Sequence, residues 1–79
     1  MSSYFKTAEL DGKRIAYTQE TEFKIQIGKG RGAYKTHCTI IGDLAHAVAW
    51  YNGFNIGNGY KKRLLAPSMN KPVLAVYRS

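Results

Sequence analysis

Three side chains could act together as nucleophile, base or metal ligand: His37, Cys38 and His46. A cysteine beside a histidine makes an activated nucleophile, and one Cys with two His supplies part of a zinc set. The spacing argues against both. His37 and Cys38 are neighbours, so on a strand they point to opposite faces and cannot pair as nucleophile and base. His46 could reach Cys38 in space, but no Asp or Asn stands at a spacing that would orient it. One Cys and two His fall short of a zinc set unless a carboxylate joins them. The plainer reading is a small buried Cys38 and two surface histidines. The chain has five acidic residues, and Glu20 and Glu22 share a face only if residues 20–22 are extended. No carboxylate pair suited to general acid–base work emerges. With no catalytic constellation, metal set or cofactor motif, the chain reads as a non-enzymatic binding protein.

The chemistry that the sequence does offer is cationic. Gly28-Lys29-Gly30-Arg31-Gly32 places two cations among three glycines. Glycines can expose N–H groups to an anion, so the run looks at first like a phosphate loop. No Gly-Lys-Ser/Thr follows, and the segment leads into a strand and not a helix, which excludes a Walker loop. It is either a plain hairpin turn or a flexible cationic finger that touches a partner. Tyr60-Lys61-Lys62-Arg63 is the densest charge run. An aromatic beside three cations suits nucleic acid, because the ring stacks on bases and the cations meet phosphates. The alternative is a solvated face. Trp50, the sole tryptophan, either closes the edge of the core or anchors a partner.

These groups need elements to position them. Asp11-Gly12 between two β-prone runs, Tyr4 to Leu10 and Lys13 to Gln19, predicts a hairpin. Phe23, Ile25 and Ile27 alternate with Lys24 and Gln26, which predicts a strand with one apolar face. The run Tyr34 to Ile41 is β-prone, with Tyr34, Thr36, Cys38 and Ile40 expected on one side. Residues 23–41 therefore form a second hairpin with the glycine run at its tip. Asp43 caps a helix in which Leu44, Ala47, Val48 and Tyr51 form a core stripe, and Gly53 supplies a left-handed stop. Tyr60 to Ala66 is expected to make one or two helical turns, over which Lys61, Lys62 and Arg63 would fan across about 200°. Pro67 and Pro72 bracket a loop, and Val73 to Tyr77 forms a last strand. The expected fold is α+β: an antiparallel sheet of four to five strands with one short helix packed on one face.

The chain has 79 residues, 44% of them hydrophobic and ten aromatic. This length predicts one domain over residues 1–79 with a thin core rich in large rings. A single cysteine allows no intrachain disulfide, so a reducing cytoplasm is expected. Met1-Ser2-Ser3-Tyr4 has no apolar run for a signal peptide, and no stretch approaches a membrane span. The net charge of +7 is uneven. Residues 1–22 hold three cations and four carboxylates, a balance of −1, while residues 23–79 hold nine cations and Asp43 alone, a balance of +8. Such asymmetry suits a partner of negative potential, either nucleic acid or a protein that handles it.

The string Ala49-Trp50-Tyr51-Asn52-Gly53-Phe54-Asn55-Ile56-Gly57-Asn58-Gly59, followed by Arg63-Leu64, resembles the phage anti-CRISPR inhibitors of the type I-F surveillance complex. There a Trp–aromatic pair ends a helix, a Gly and an aliphatic follow, then Gly-x-Gly and an Arg–aliphatic pair. The resemblance is confined to residues 49–64. The chain differs from that family at Lys61-Lys62 and at Pro67 and Pro72, where those inhibitors continue as helix. It implies a phage-encoded inhibitor in the bacterial cytoplasm that binds backbone subunits of an RNA-guided complex and hinders target DNA pairing. The strand-strand-strand-helix order also resembles arm-type DNA-binding domains of tyrosine integrases and plant transcription factors. Their sheet enters the major groove, and Lys24, Arg31 and Lys35 could project in the same way.

The leading expectation is thus an inhibitory binding protein that docks on a host protein or nucleoprotein through Lys29, Arg31, Lys35, Tyr60, Lys61, Lys62 and Arg63, with Trp50 as an anchor. Direct DNA or RNA binding through the same residues is the alternative. No membrane partner is expected. Either monomer or homodimer suits the sequence, the edges Tyr4–Leu10 and Val73–Tyr77 being the ones that could pair two copies.

Overall fold

The computed structural model describes residues 6–10, 12–67 and 69–78. Their order is β1 (Lys6–Leu10), β2 (Lys13–Tyr17), β3 (Glu22–Lys29), β4 (Lys35–Ile41), α1 (Leu44–Gly53), β5 (Tyr60–Leu65) and β6 (Leu74–Arg78). The fold is α+β, with four strands in one antiparallel sheet, ordered β4-β3-β5-β6, and the helix against one face.

The first hairpin forms where alternation and Gly12 ask for it. Gly12 lies at φ +78°, in the left-handed region that a tight turn uses. Tyr4, Phe5 and Asp11 of that expectation lie outside the described residues. β1 and β2 do not extend the main sheet but form a two-stranded sheet of their own. A hydroxyl-bonded turn separates them from β3: the Thr21 hydroxyl accepts from the Thr18 N–H at 2.9 Å, and Thr21 N–H donates to the Thr18 carbonyl at 3.1 Å. Ile15 still reaches the common core, fully buried with Phe23, Ile25, Leu44, Ala47, Tyr51, Leu64 and Val73.

β3 and β4 confirm the second hairpin. Phe23 and Ile25, at 0% exposure, each contribute about 1.5–3 kcal/mol through burial. The expected facing of β4 is only half right. Ile25 pairs with Cys38 and Gln26 with Thr36, so His37 is an extra residue, a β-bulge. The bulge reverses the alternation. Tyr34 and Thr36 lie on the open face of the sheet, whereas Cys38 and Ile40 lie on the helix face.

Asp43 caps α1 as expected, its Oδ1 accepting from the His46 N–H at 2.9 Å. The far end departs from expectation. Gly53 is not at positive φ, and the chain leaves the helix through Phe54 in an extended conformation (φ −88°, ψ 118°). No left-handed residue is needed, because a lysine from β5 reaches the terminal carbonyls.

The largest correction is Tyr60–Leu65, which is a strand and not helical turns. Its Lys, Arg and Leu residues favour helix locally, but β5 pairs along its length with β3 on one side and β6 on the other. Two ladders and the complete burial of Leu64 outweigh a propensity of a few tenths of a kcal/mol per residue.

The helix-side core is locked at Gly42, which joins β4 to α1. Its φ is +72°, its N–H donates to the Thr21 carbonyl at 2.8 Å, and a Cβ there would lie 2.3 Å from the Gln19 carbonyl oxygen. Gly42→Ala therefore combines backbone strain with a backbone clash, and a loss of about 2–4 kcal/mol in urea unfolding is expected.

Candidate nucleic-acid interface

The alternation of β5 decides where the basic run goes. Tyr60, Lys62 and Leu64 face the helix side, and Lys61 and Arg63 face the open side. The sheet therefore divides the four residues that the sequence groups together.

On the helix side, the bulge aims His37 at the end of α1. Its ring centroid lies 5.5 Å from that of Trp50 and 5.1 Å from that of Phe54, and Trp50 and Phe54 stack with an interplanar angle of 12°. Next to this cluster runs an open groove of about 640 Å³. Phe54, His37 and Tyr60 give it aromatic walls, Lys29 and Lys35 give it cations, and Gly32 and Ala33 leave room. No lining residue is acidic. The Lys29 ammonium lies 5.8 Å from the Tyr60 ring centroid, and the two residues are cross-strand partners. The glycine tip is tied to the loop after the helix: Gly30 N–H donates to the Gly59 carbonyl at 2.7 Å. That bond holds the two walls of the groove together at one end.

Among the sequence candidates, Lys29, Lys35 and Tyr60 thus meet in the groove, with Trp50 half-buried behind Phe54. Arg31 is exposed at the turn. Lys61 and Arg63 lie on the opposite face, over the Tyr34 ring at 4.6 Å and 3.8 Å from its centroid. Lys62 is no contact residue at all. It is 7% exposed, and its ammonium donates to the Phe54 carbonyl at 2.6 Å and to the Tyr51 carbonyl. It also sits 4.3 Å from the Tyr51 ring centroid. A cation is favoured at a helix C-terminus, where carbonyls lack intrahelical partners. Burial pushes the Lys62 pKa below the ordinary lysine value. Burial, followed by the charge of Tyr34, pushes the Tyr51 phenol up to about 12.

Sequence reasoning missed His37, Phe54 and Tyr34. Phe54 sits in the run that carries the anti-CRISPR resemblance, but its stacking on His37 depends on the bulge, for which the sequence gives no local sign. Cys38 is half-buried and His46 exposed. Among the described residues no group of three or more His, Cys, Asp or Glu side chains could hold a metal ion. No helix among them is long and apolar enough to cross a membrane.

No protein-family model, curated protein or solved structure matches this chain.

Lys62→Met should lower stability by about 1–3 kcal/mol at neutral pH, because the Phe54 carbonyl loses its donor. The pH dependence gives a second readout. The folded Lys62 pKa lies below 10.5, so between the two values the unfolded chain binds more protons and stability rises with pH. Urea midpoints measured across alkaline pH should show this contribution in the wild type and lack it in Lys62→Met.

Proposed function

We propose that the protein is a small, non-enzymatic nucleic-acid-binding module that holds a single strand in the groove between the β3–β4 tip and the loop after α1. The observation that carries this reading is the composition of the groove: three aromatic rings and two lysines, with no carboxylate among the lining residues. Base faces stack on rings whatever the sequence, and ammonium groups meet the phosphates. Duplex DNA suits the groove less, since its bases are already stacked on one another. The uneven charge supports the same partner, because the groove is built from the strongly basic part of the chain. A free cysteine without a disulfide partner accords with a reducing cytoplasm.

A second reading, inhibition of a host RNA-guided complex, draws support from one place. The residues of the anti-CRISPR resemblance include Trp50 and Phe54, whose stack is only half-buried. In that case binding would survive moderate salt and fall with Trp50→Ala.

Fluorescence anisotropy with a mixed-sequence single-stranded oligonucleotide, read over a range of salt, tests the first reading. Replacing Lys29 and Lys35 by Gln should flatten the plot of log affinity against log salt by about 1.4, or roughly 0.7 per phosphate contact. Tyr60→Ala should weaken binding by about 1–3 kcal/mol. An affinity that ignores both salt and Tyr60 would contradict the proposal.

A further inference from the structure

We infer that the open face of the four-stranded sheet is a second phosphate-binding site, so that one chain holds two strands on opposite sides of one sheet. The inference rests on the groove reading for the first strand. The second site stands on its own geometry.

Arg63 is held from two directions. Its Nε donates to Gln26 Oε1 at 2.8 Å, and its guanidinium carbon lies over Tyr34, 3.8 Å from the ring centroid. Gln26 is fixed in turn, since its Nε2 donates to Thr36 Oγ1 at 3.0 Å. This chain of bonds crosses β4, β3 and β5. Neither contact uses the terminal Nη groups of Arg63, and among the described residues nothing else accepts from them. Lys61 is similar: its ammonium lies 4.6 Å from the Tyr34 ring centroid and makes no hydrogen bond to a described residue. Gly28 makes this placement feasible, because a Cβ there would come within 2.8 Å of Lys61 Cε.

The face thus presents two positioned cations with unused donors. A guanidinium pre-set in this way suits bidentate binding of a phosphate, and little side-chain entropy remains to be lost. Lys24, exposed on the same face, extends the positive surface along β3. Exposed Tyr77, the cross-strand partner of Lys61, adds a ring beside it. Glu22 is the one carboxylate on this face of the described strands; it lies at the start of β3 and shares a shallow pocket with Lys24 and Arg63, so the positive surface is strongest towards Lys61. The charge complements a sugar–phosphate backbone.

Tyr60 and Lys61 are consecutive residues of one strand, so the two sites are separated by little more than the thickness of a sheet, about 10 Å with side chains. The lysines and the arginine between them offset the repulsion of two bound backbones, so both sites can be filled at once.

The test is native mass spectrometry on the full chain with one unlabelled single strand, together with fluorescence anisotropy titrations that resolve the second binding step. Wild type is expected to bind two strands per chain. Lys61→Gln with Arg63→Gln should bind one strand, with the groove affinity unchanged. Lys24→Glu, an exposed change that leaves the Gln26–Arg63 link intact, should weaken the second binding step without altering the melting temperature. One strand per chain in the wild type, or a double variant that still binds two, overturns the inference and leaves the groove reading standing. If the double variant loses all binding while Tyr60→Ala keeps it, the groove reading fails and the two-site inference fails with it.

Discussion

Most of what this molecule presents to its surroundings depends on how β5 is pinned. With β3 on one side and β6 on the other, residues 60–65 have no freedom of register, and their side chains must alternate across the sheet. Leu64 and Lys62 go under the helix, Tyr60 goes to the groove, and Lys61 and Arg63 go to the open face. Shifting the strand by one residue would bury Arg63 and expose Leu64. The same constraint determines how the helix ends. Lys62 arrives beneath the last turn of α1 and donates to the Phe54 carbonyl and to the Tyr51 carbonyl, which also accepts from the Phe54 N–H, and the chain exits through Phe54 in extended geometry. A residue that looks like part of a contact surface is instead the strut that joins helix to sheet and sets Phe54 at the wall of the groove.

The electrostatic character follows from the same division. Four of the five carboxylates lie in residues 1–22, whereas the groove and the open face are built almost wholly from later residues. The cations on both faces are set against rings: Lys29 by Tyr60, Lys61 and Arg63 by Tyr34. Pairing with a ring positions a cation while leaving its hydrogen-bond donors available. A cation paired with a carboxylate would already be neutralised. The protein therefore presents ordered positive charge beside aromatic surface, a combination that suits nucleic acid better than an acidic protein patch.

How much of this could be read in advance depended on whether the deciding interaction was local. The first two hairpins, the Asp43 cap and the Leu44–Ala47–Tyr51 stripe arise from neighbours in sequence, and all are present. Tyr60–Leu65 reads as helix from sequence because its residues are good helix formers. The ladders that make it a strand join it to residues 24–29 and 74–78, which no local pattern can show. The bulge at His37 depends on the registers of β3 and β4 and leaves no local sign in sequence, and the facing of Tyr34 and the aromatic cluster follow from it. Gly53 looked like a left-handed stop because the distant lysine that replaces that device could not be seen. For the site, Lys29, Lys35 and Tyr60 were legible as cations and ring near one tip. That Lys62 is buried, and that Lys61 and Arg63 face the other way, required the pairing of β5.

The central claim is that the groove is where a strand binds, and amide and aromatic chemical shifts during titration with a short single-stranded oligonucleotide test it most directly. The account predicts that, at substoichiometric strand, the largest shifts fall on Lys29, Lys35, His37, Phe54 and Tyr60, with the β1–β2 hairpin unmoved. Shifts centred on β1–β2, or a spectrum unchanged at millimolar strand and low salt, would contradict it.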